Sequence, residues 1–251
     1  MINANGVDAP LTTELIQLSS NRPSMHSMEA KRYRRAVARI NYMSQDRCDL
    51  SSASKVMPQS MSSPRVGDEA IVKRVIRYIH KYPRCVNQME FQQEIGPLKV
   101  MTDSDWEGDT TTRISTSGGL IFLGRHMICH WSKLQSTIAL SSGEAELNAS
   151  VKGLSEAIGV NELIREWSIP GYGEFKMHMD ASVAKGTLTR RGSGKIKHLT
   201  TKQLWVQENI RTYGIKVEKI SRSINTADLL THPCGRIDFE EHLNRINISR
   251  P

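Results

Sequence analysis

Residues 99–103, 114–123 and 126–131 form three short β-tolerant runs, and a single helical pattern then continues from 143 to about 167. That order constrains the fold more than any other feature of the chain. The connections among the three runs are too short for a parallel crossover, so they read as an antiparallel meander. The helical pattern carries an apolar stripe of Leu147, Val151, Leu154, Ile158 and Leu163. Ser142 is the expected N-cap, and Glu144 lies in the first turn, where the helix dipole favours an acid. Pro170 and Gly171 end the pattern. A strand at 175–179, a short helix from Ser182, a Gly- and Lys-rich loop at 190–197 and a helix over 199–213 follow. A strand at 215–220 and a helical turn opening at Thr226 complete an α/β pattern.

Upstream, the character is different. Residues 1–26 read as loop or disordered, apart from a helical turn or two near 11–18. Residues 27–83 read as a small helical segment. Its first helix places Ala30, Tyr33, Ala36, Val37, Ile40 and Met43 at helical spacing, with Lys31, Arg32, Arg34, Arg35 and Arg39 in the remaining positions. A solvated charged face and a face for nucleic-acid backbone are both open for those cations. A second helix spans 50–57 and is ended by Pro58; a third starts with Asp68 as N-cap and stops at Pro83. The main α/β domain is expected over 84–233, with a polar C-terminal tail at 234–251.

A net charge of +8 over 251 residues favours a polyanionic partner. Cys48, Cys85, Cys129 and Cys234 lack zinc-knuckle spacing and suit free thiols in a reducing compartment. No apolar run is long enough to span a bilayer, and the start of the chain lacks a signal-peptide pattern. An intracellular protein, cytoplasmic or nuclear, with no membrane partner is expected; the sequence leaves its oligomeric state open.

The acidic residues give the pattern a chemical direction. Asp103 and Asp105 alternate onto one face of a strand. With Gly108 nearby they read by themselves as a turn. Glu146 lies early in the long helix, Asp180 ends the fourth strand and Asp228 opens the last helical turn. Strand ends and helix starts are where α/β sheets gather their chemistry, so these side chains can converge. Four converging carboxylates require cations, and two divalent ions would support in-line phosphoryl transfer. Oxygen donors without a Cys or His cluster favour Mg²⁺ or Mn²⁺ over zinc.

Several motifs resemble the ribonuclease H domain of copia-type retrotransposon Pol polyproteins. They are Thr102-Asp103-Ser104-Asp105-Trp106 with Gly108-Asp109, Arg113-Ile114-Ser115-Thr116-Ser117-Gly118, His130 through Glu146, Lys197-His198, and Asn225 through Pro233. They stand in family order across about 97–233. Residues 29–83 resemble, more diffusely, the segment that follows the polymerase core in these proteins. The resemblance implies a ribonuclease H-like fold, a mixed five-stranded sheet flanked by helices. It implies that Asp103, Glu146, Asp180 and Asp228 are catalytic and hold two Mg²⁺ or Mn²⁺ ions. Asp103 would bridge both ions, Asp228 would join it at the ion activating water, and Glu146 and Asp180 would hold the other. The implied reaction is cleavage of the RNA strand of an RNA–DNA hybrid, leaving a 3′-hydroxyl and a 5′-phosphate.

Asp105 and Glu144 compete with Asp103 and Glu146 for these roles. Asp103 directly ends the apolar run and matches the family position. Glu146 faces Ala149, Ser150 and Gly153, a helix surface small enough to approach a strand. Arg113, Ser115 and Ser117 are candidates for hybrid contacts through phosphate or 2′-hydroxyl groups, or for fixing a strand start. Lys195, Lys197 and His198 follow two glycines and could cradle a phosphate. His232 receives no role.

The chain has no Tyr-x-Asp-Asp motif, so the expectation is a Pol fragment without the polymerase core. Ala181 follows Asp180 where the family usually has Asn or Gln. A second reading is therefore a catalytically silent nucleic-acid-binding remnant. An integrase-like transferase would need its glutamate after both aspartates, whereas Glu146 precedes Asp180.

Overall fold

The computed structural model describes residues 5–19, 23–109, 112–169, 173–191 and 201–251. They fall into two compact units, Met89–Thr231 and the combination of Met1–Gln88 with His232–Pro251.

The discontinuous unit opens with α1 (Thr13–Ser19), α2 (Ser27–Met43), α3 (Ser51–Val56), α4 (Asp68–Lys81) and the short strand β1 (Val86–Asn87). Helix α2 buries Ala30, Tyr33, Val37 and Ile40, and α4 buries Ile71, Val72, Val75 and Tyr78, the faces set by their apolar spacing. Asp68 is not the N-cap. It occupies the first helical position after Gly67, and its buried carboxylate accepts a hydrogen bond from the Arg65 backbone N–H at 2.7 Å.

In the other unit, β2 (Leu98–Asp105), β3 (Thr116–Leu123) and β4 (His126–Leu134) form the meander. Helix α5 (Ser142–Glu166), β5 (Phe175–Met179), α6 (Ser182–Thr189), α7 (Thr201–Thr212) and β6 (Lys216–Lys219) follow. The strand order is β4-β3-β2-β5-β6, with β2 and β3 antiparallel and β5 and β6 parallel to β2. A five-stranded mixed sheet in this order, with its one long helix crossing the central strands, is the ribonuclease H-like fold. Leu98, Val100, Ile121, Trp131, Leu147, Leu154, Met177 and Val206 share its core. At Gly153 a Cβ would lie 2.3 Å from Thr102 Cγ2, so only glycine lets α5 settle this close to β2.

Two of the boundary differences from the sequence reading bear on the acidic residues. Strand β2 runs on through Asp105, because its partner β3 extends to meet it at Thr116. The N-cap of α5 is Ser141, whose Oγ accepts from the Glu144 N–H at 3.2 Å, while the Glu144 carboxylate accepts from the Leu140 N–H at 2.8 Å. Residue 144 thereby works as a cap. The last helical turn is a 3₁₀ turn, Thr226–Leu230.

The discontinuous unit is completed by α8 (Arg236–Arg245) and β7 (Ile248–Ser249), where the sequence suggested a tail. Phe239, His242 and Leu243 are buried at helical spacing, and β7 pairs antiparallel with β1. A run dominated by charged residues hides that thin apolar stripe.

This unit also buries an ion network. Arg47 Nη2 lies 2.6 Å from Asp49 Oδ2, and Tyr78 Oη donates to the same oxygen at 2.6 Å. Arg250 donates to Tyr78 Oη at 2.8 Å, pairs with Glu240, and stacks 4.2 Å from the centre of the Tyr82 ring. Removing one partner of a buried pair strands the other charge away from water. Asp49→Ala is expected to destabilise this unit by about 3–5 kcal/mol, read by denaturant unfolding. A change below about 1 kcal/mol would show that Arg47 finds water instead.

Candidate metal centre

Asp103 lies near the end of β2 at 4% exposure, and its Oδ2 accepts from Thr231 Oγ1 at 2.5 Å. Glu146 stands in the second turn of α5, aimed at β2 by the close approach at Gly153. One of its oxygens, Oε1, accepts from the Ser104 N–H at 3.2 Å and from Ser104 Oγ at 3.0 Å. The other, Oε2, is buried with no hydrogen-bond partner among the described residues. Asp180 follows directly on β5, the parallel neighbour of β2. A carboxylate oxygen from each of Asp103, Glu146 and Asp180 lies within 4.8 Å of the others.

Asp228 reaches this region by a different route. Asn225, fully buried, caps the 3₁₀ turn through its Oδ1 and donates from Nδ2 to the Thr102 carbonyl at 3.0 Å. Ser132 Oγ donates to the Leu230 carbonyl at 2.5 Å, and Thr231 holds Asp103. These bonds fasten 225–231 to the central strands and leave Asp228 close enough to repel Asp103 and Asp180. The sequence reading missed Ser104, Asn225 and Thr231. Only Asn225 carried a local signal, as a cap residue ahead of a helical turn.

Like charges at 4.8 Å in an effective dielectric of about 20 repel by about 3 kcal/mol. Burial, then the negative charges of Asp228 and Asp180, push Asp103 up to about 7, against the Thr231 hydrogen bond. Burial, then Asp103 and Asp180, push Glu146 up to about 8, against Ser104. Asp180 is also raised, mainly by burial. Among the described residues Arg222 reaches the cluster, its Nε 3.4 Å from Asp228 Oδ1 on a side chain 72% exposed, and Lys219 also acts on Asp180. The electrostatic pull of Arg222 extends to Asp103 and Asp180.

The acids that competed in the sequence have other partners. A Cβ on Gly108 would lie 2.0 Å from Asp105 Oδ2, so that carboxylate is folded onto its own turn. Glu144 caps α5. Ser115 and Ser117 are buried. Ser115 Oγ accepts from the Glu107 N–H at 3.3 Å, and Ser117 Oγ accepts from Gln135 Nε2 at 3.0 Å. Both hydroxyls therefore act within the fold. Arg113 is exposed, with a left-handed backbone (φ 57°). Lys195, Lys197 and His198 lie outside the described residues.

No family model matches the chain. It is 27% identical over 254 residues, 99% of its length, to the Retrovirus-related Pol polyprotein from transposon RE2 of Arabidopsis thaliana. It is 28% identical over 249 residues, 96% of its length, to the Pol polyprotein from transposon TNT 1-94 of Nicotiana tabacum. Over nearly its whole length the chain is similar to copia-type Pol polyproteins. It spans 17% and 18% of the length of these two relatives. Among solved structures it is similar to RNase H1 from Halobacterium salinarum NRC-1, at 15% identity and a TM-score of 0.40, covering 54% of this chain and 95% of that one. Among the described residues, no helix is long and apolar enough to cross a membrane.

The donor set suits a hard divalent cation. It is all oxygen, it is crowded with negative charge, and it leaves Glu146 Oε2 without a partner among the described residues. Without such a cation, Asp103 and Glu146 hold a proton more tightly folded than unfolded. That contribution to stability is complete below about pH 4 and is lost as pH rises through about 7 and about 8. Urea unfolding of the metal-free protein should thus show lower stability at about pH 9 than at about pH 5, with millimolar Mg²⁺ restoring part of it at the higher pH. The double variant Asp103→Asn/Glu146→Gln should flatten the profile; an unchanged slope would place the titrating groups elsewhere.

Proposed function

We propose that the unit at 89–231 is a divalent-metal-dependent nuclease that hydrolyses the RNA strand of RNA–DNA hybrids. The observation that carries this reading is the convergence of Asp103, Glu146 and Asp180, with one Glu146 oxygen buried and without a hydrogen-bond partner among the described residues. Asp103, Glu146, Asp180 and Asp228 would hold the ions, and hard oxygen donors favour Mg²⁺ or Mn²⁺. Two such ions, when bound, supply the positive charge that favours an attacking water and a departing 3′-oxygen.

The chain's own groups prepare the site. Ser104 and Thr231 each occupy one oxygen of Glu146 and Asp103, so each carboxylate presents its remaining oxygen in a fixed direction. Gln135, buried, ties Ser117 to the Ala145 carbonyl at 2.8 Å and so braces β3 against the first turn of α5. Arg113 would add a cation for backbone phosphate on an exposed loop, while Ser115 and Ser117 would act by fixing that loop's exit into β3. Arg222 would balance part of the acidic charge at Asp228.

A labelled RNA–DNA hybrid tests the proposal. The wild type is expected to cleave it only with Mg²⁺ or Mn²⁺. Asp103→Asn and Glu146→Gln should each lower the rate at least about 100-fold while leaving the fold intact. Equal cleavage by wild type and Asp103→Asn would overturn it. Hybrid binding without metal-dependent cleavage would favour the silent nucleic-acid-binding remnant, a reading to which Ala181 after Asp180 lends weight.

A further inference from the structure

Helix α2 carries charge that the proposed nuclease site does not use. Lys31, Arg32, Arg35 and Arg39 are all exposed, and none forms an ion pair or hydrogen bond among the described residues. At 100° per residue their side chains fall within an arc of about 100° on one face. Ala38 lies beside the stripe and adds no bulk, and Tyr42, 79% exposed, ends it. Arg34 is different: it donates to the carbonyls of Met61 and Ser62 and belongs to the fold. Glu29, the acid of the first turn, points elsewhere and accepts from the His26 N–H at 3.3 Å.

We infer that this stripe is a docking surface for the phosphate backbone of a nucleic-acid duplex. Charge complementarity selects a polyanion. From Lys31 to Arg39 the helix rises about 12 Å, over which a duplex presents about seven phosphate charges. Three of the four cations are arginines, whose planar forks pair with phosphate oxygens in two-point contacts. An anionic membrane is the weaker occupant. A surface helix binds lipid by inserting an apolar face, and the apolar face of α2 is spent on the core through Ala30, Tyr33, Val37 and Ile40. The surface and the metal centre belong to different compact units of the chain, and binding at the surface needs no metal.

The experiment is fluorescence anisotropy of a labelled hybrid of about 20 base pairs with the full chain in EDTA, from about 50 to about 200 mM salt. The triple variant Arg32→Glu/Arg35→Glu/Arg39→Glu should weaken binding by about 100-fold near physiological salt and lower the slope of log affinity against log salt by about 3. The variant Arg32→Lys/Arg35→Lys/Arg39→Lys should keep most of that slope, and circular dichroism should show both variants folded like the wild type. At saturating hybrid and with Mg²⁺ the Glu variant should keep the wild-type cleavage rate, which separates this surface from the nuclease reading. An unchanged slope in the Glu variant overturns the inference. So does loss of binding to phosphatidylserine vesicles with hybrid affinity unmoved, which would assign the stripe to membrane.

Discussion

The approach of α5 to β2 is the contact from which the geometry of the 89–231 unit follows. Glycine at 153 removes the one Cβ that would hold the helix off Thr102. Two turns earlier on the same helix, Glu146 is thereby carried within reach of Ser104 and Asp103. A helix seated farther out would place the glutamate in solvent, where its charge would cost nothing and do nothing. Glycine in a helix interior costs about 1 kcal/mol in propensity, a cost that dense packing of Leu147, Leu154 and Ala157 against the sheet offsets.

That placement creates a conflict the fold does not resolve by itself. Ser104 and Thr231 stabilise the charged forms of Glu146 and Asp103, yet burial and mutual repulsion outweigh both bonds. Arg222 offsets part of the charge only from an exposed position. Buried polar groups elsewhere in the chain are handled differently. Asp49, deeper than any of the clustered acids, is matched by Arg47 and Tyr78, and Asp68 by a backbone N–H. Unbalanced negative charge is thus concentrated at the meeting point of β2, β5, α5 and the 3₁₀ turn, the pattern expected where function rather than stability selects residues.

Much of this order was legible in the chain. The short links among the first three strands forced a meander, and the strand at 175–179 was visible from alternation and its terminal Asp180. The small residues following Glu146 marked the face that meets the sheet. What could not be read were contacts between distant segments. Nothing local announces that Thr231 will hold Asp103, or that Asn225 will bind the Thr102 carbonyl across 123 positions. Ser115 and Ser117 show the reverse problem, since exposed loop and buried strand start have the same composition. The helix at Arg236–Arg245 was hidden because only Phe239, His242 and Leu243 face inward among charged neighbours.

The return of residues 232–251 to the helical unit has a consequence for how the protein is made. A ribosome delivers α1 to α4 first, but the partners of Tyr78 and β1 emerge only after all of 89–231. During synthesis Asp49, Arg47 and Tyr78 lack Arg250, and the edge of β1 lacks β7. The 89–231 unit, by contrast, is contiguous and is complete once Thr231 has left the tunnel. Synthesis therefore imposes an order: the inserted unit can finish while its host is still open, and the host closes last. Until then the exposed edge of β1 and the apolar faces awaiting Phe239 and Leu243 are the surfaces most in need of protection from aggregation.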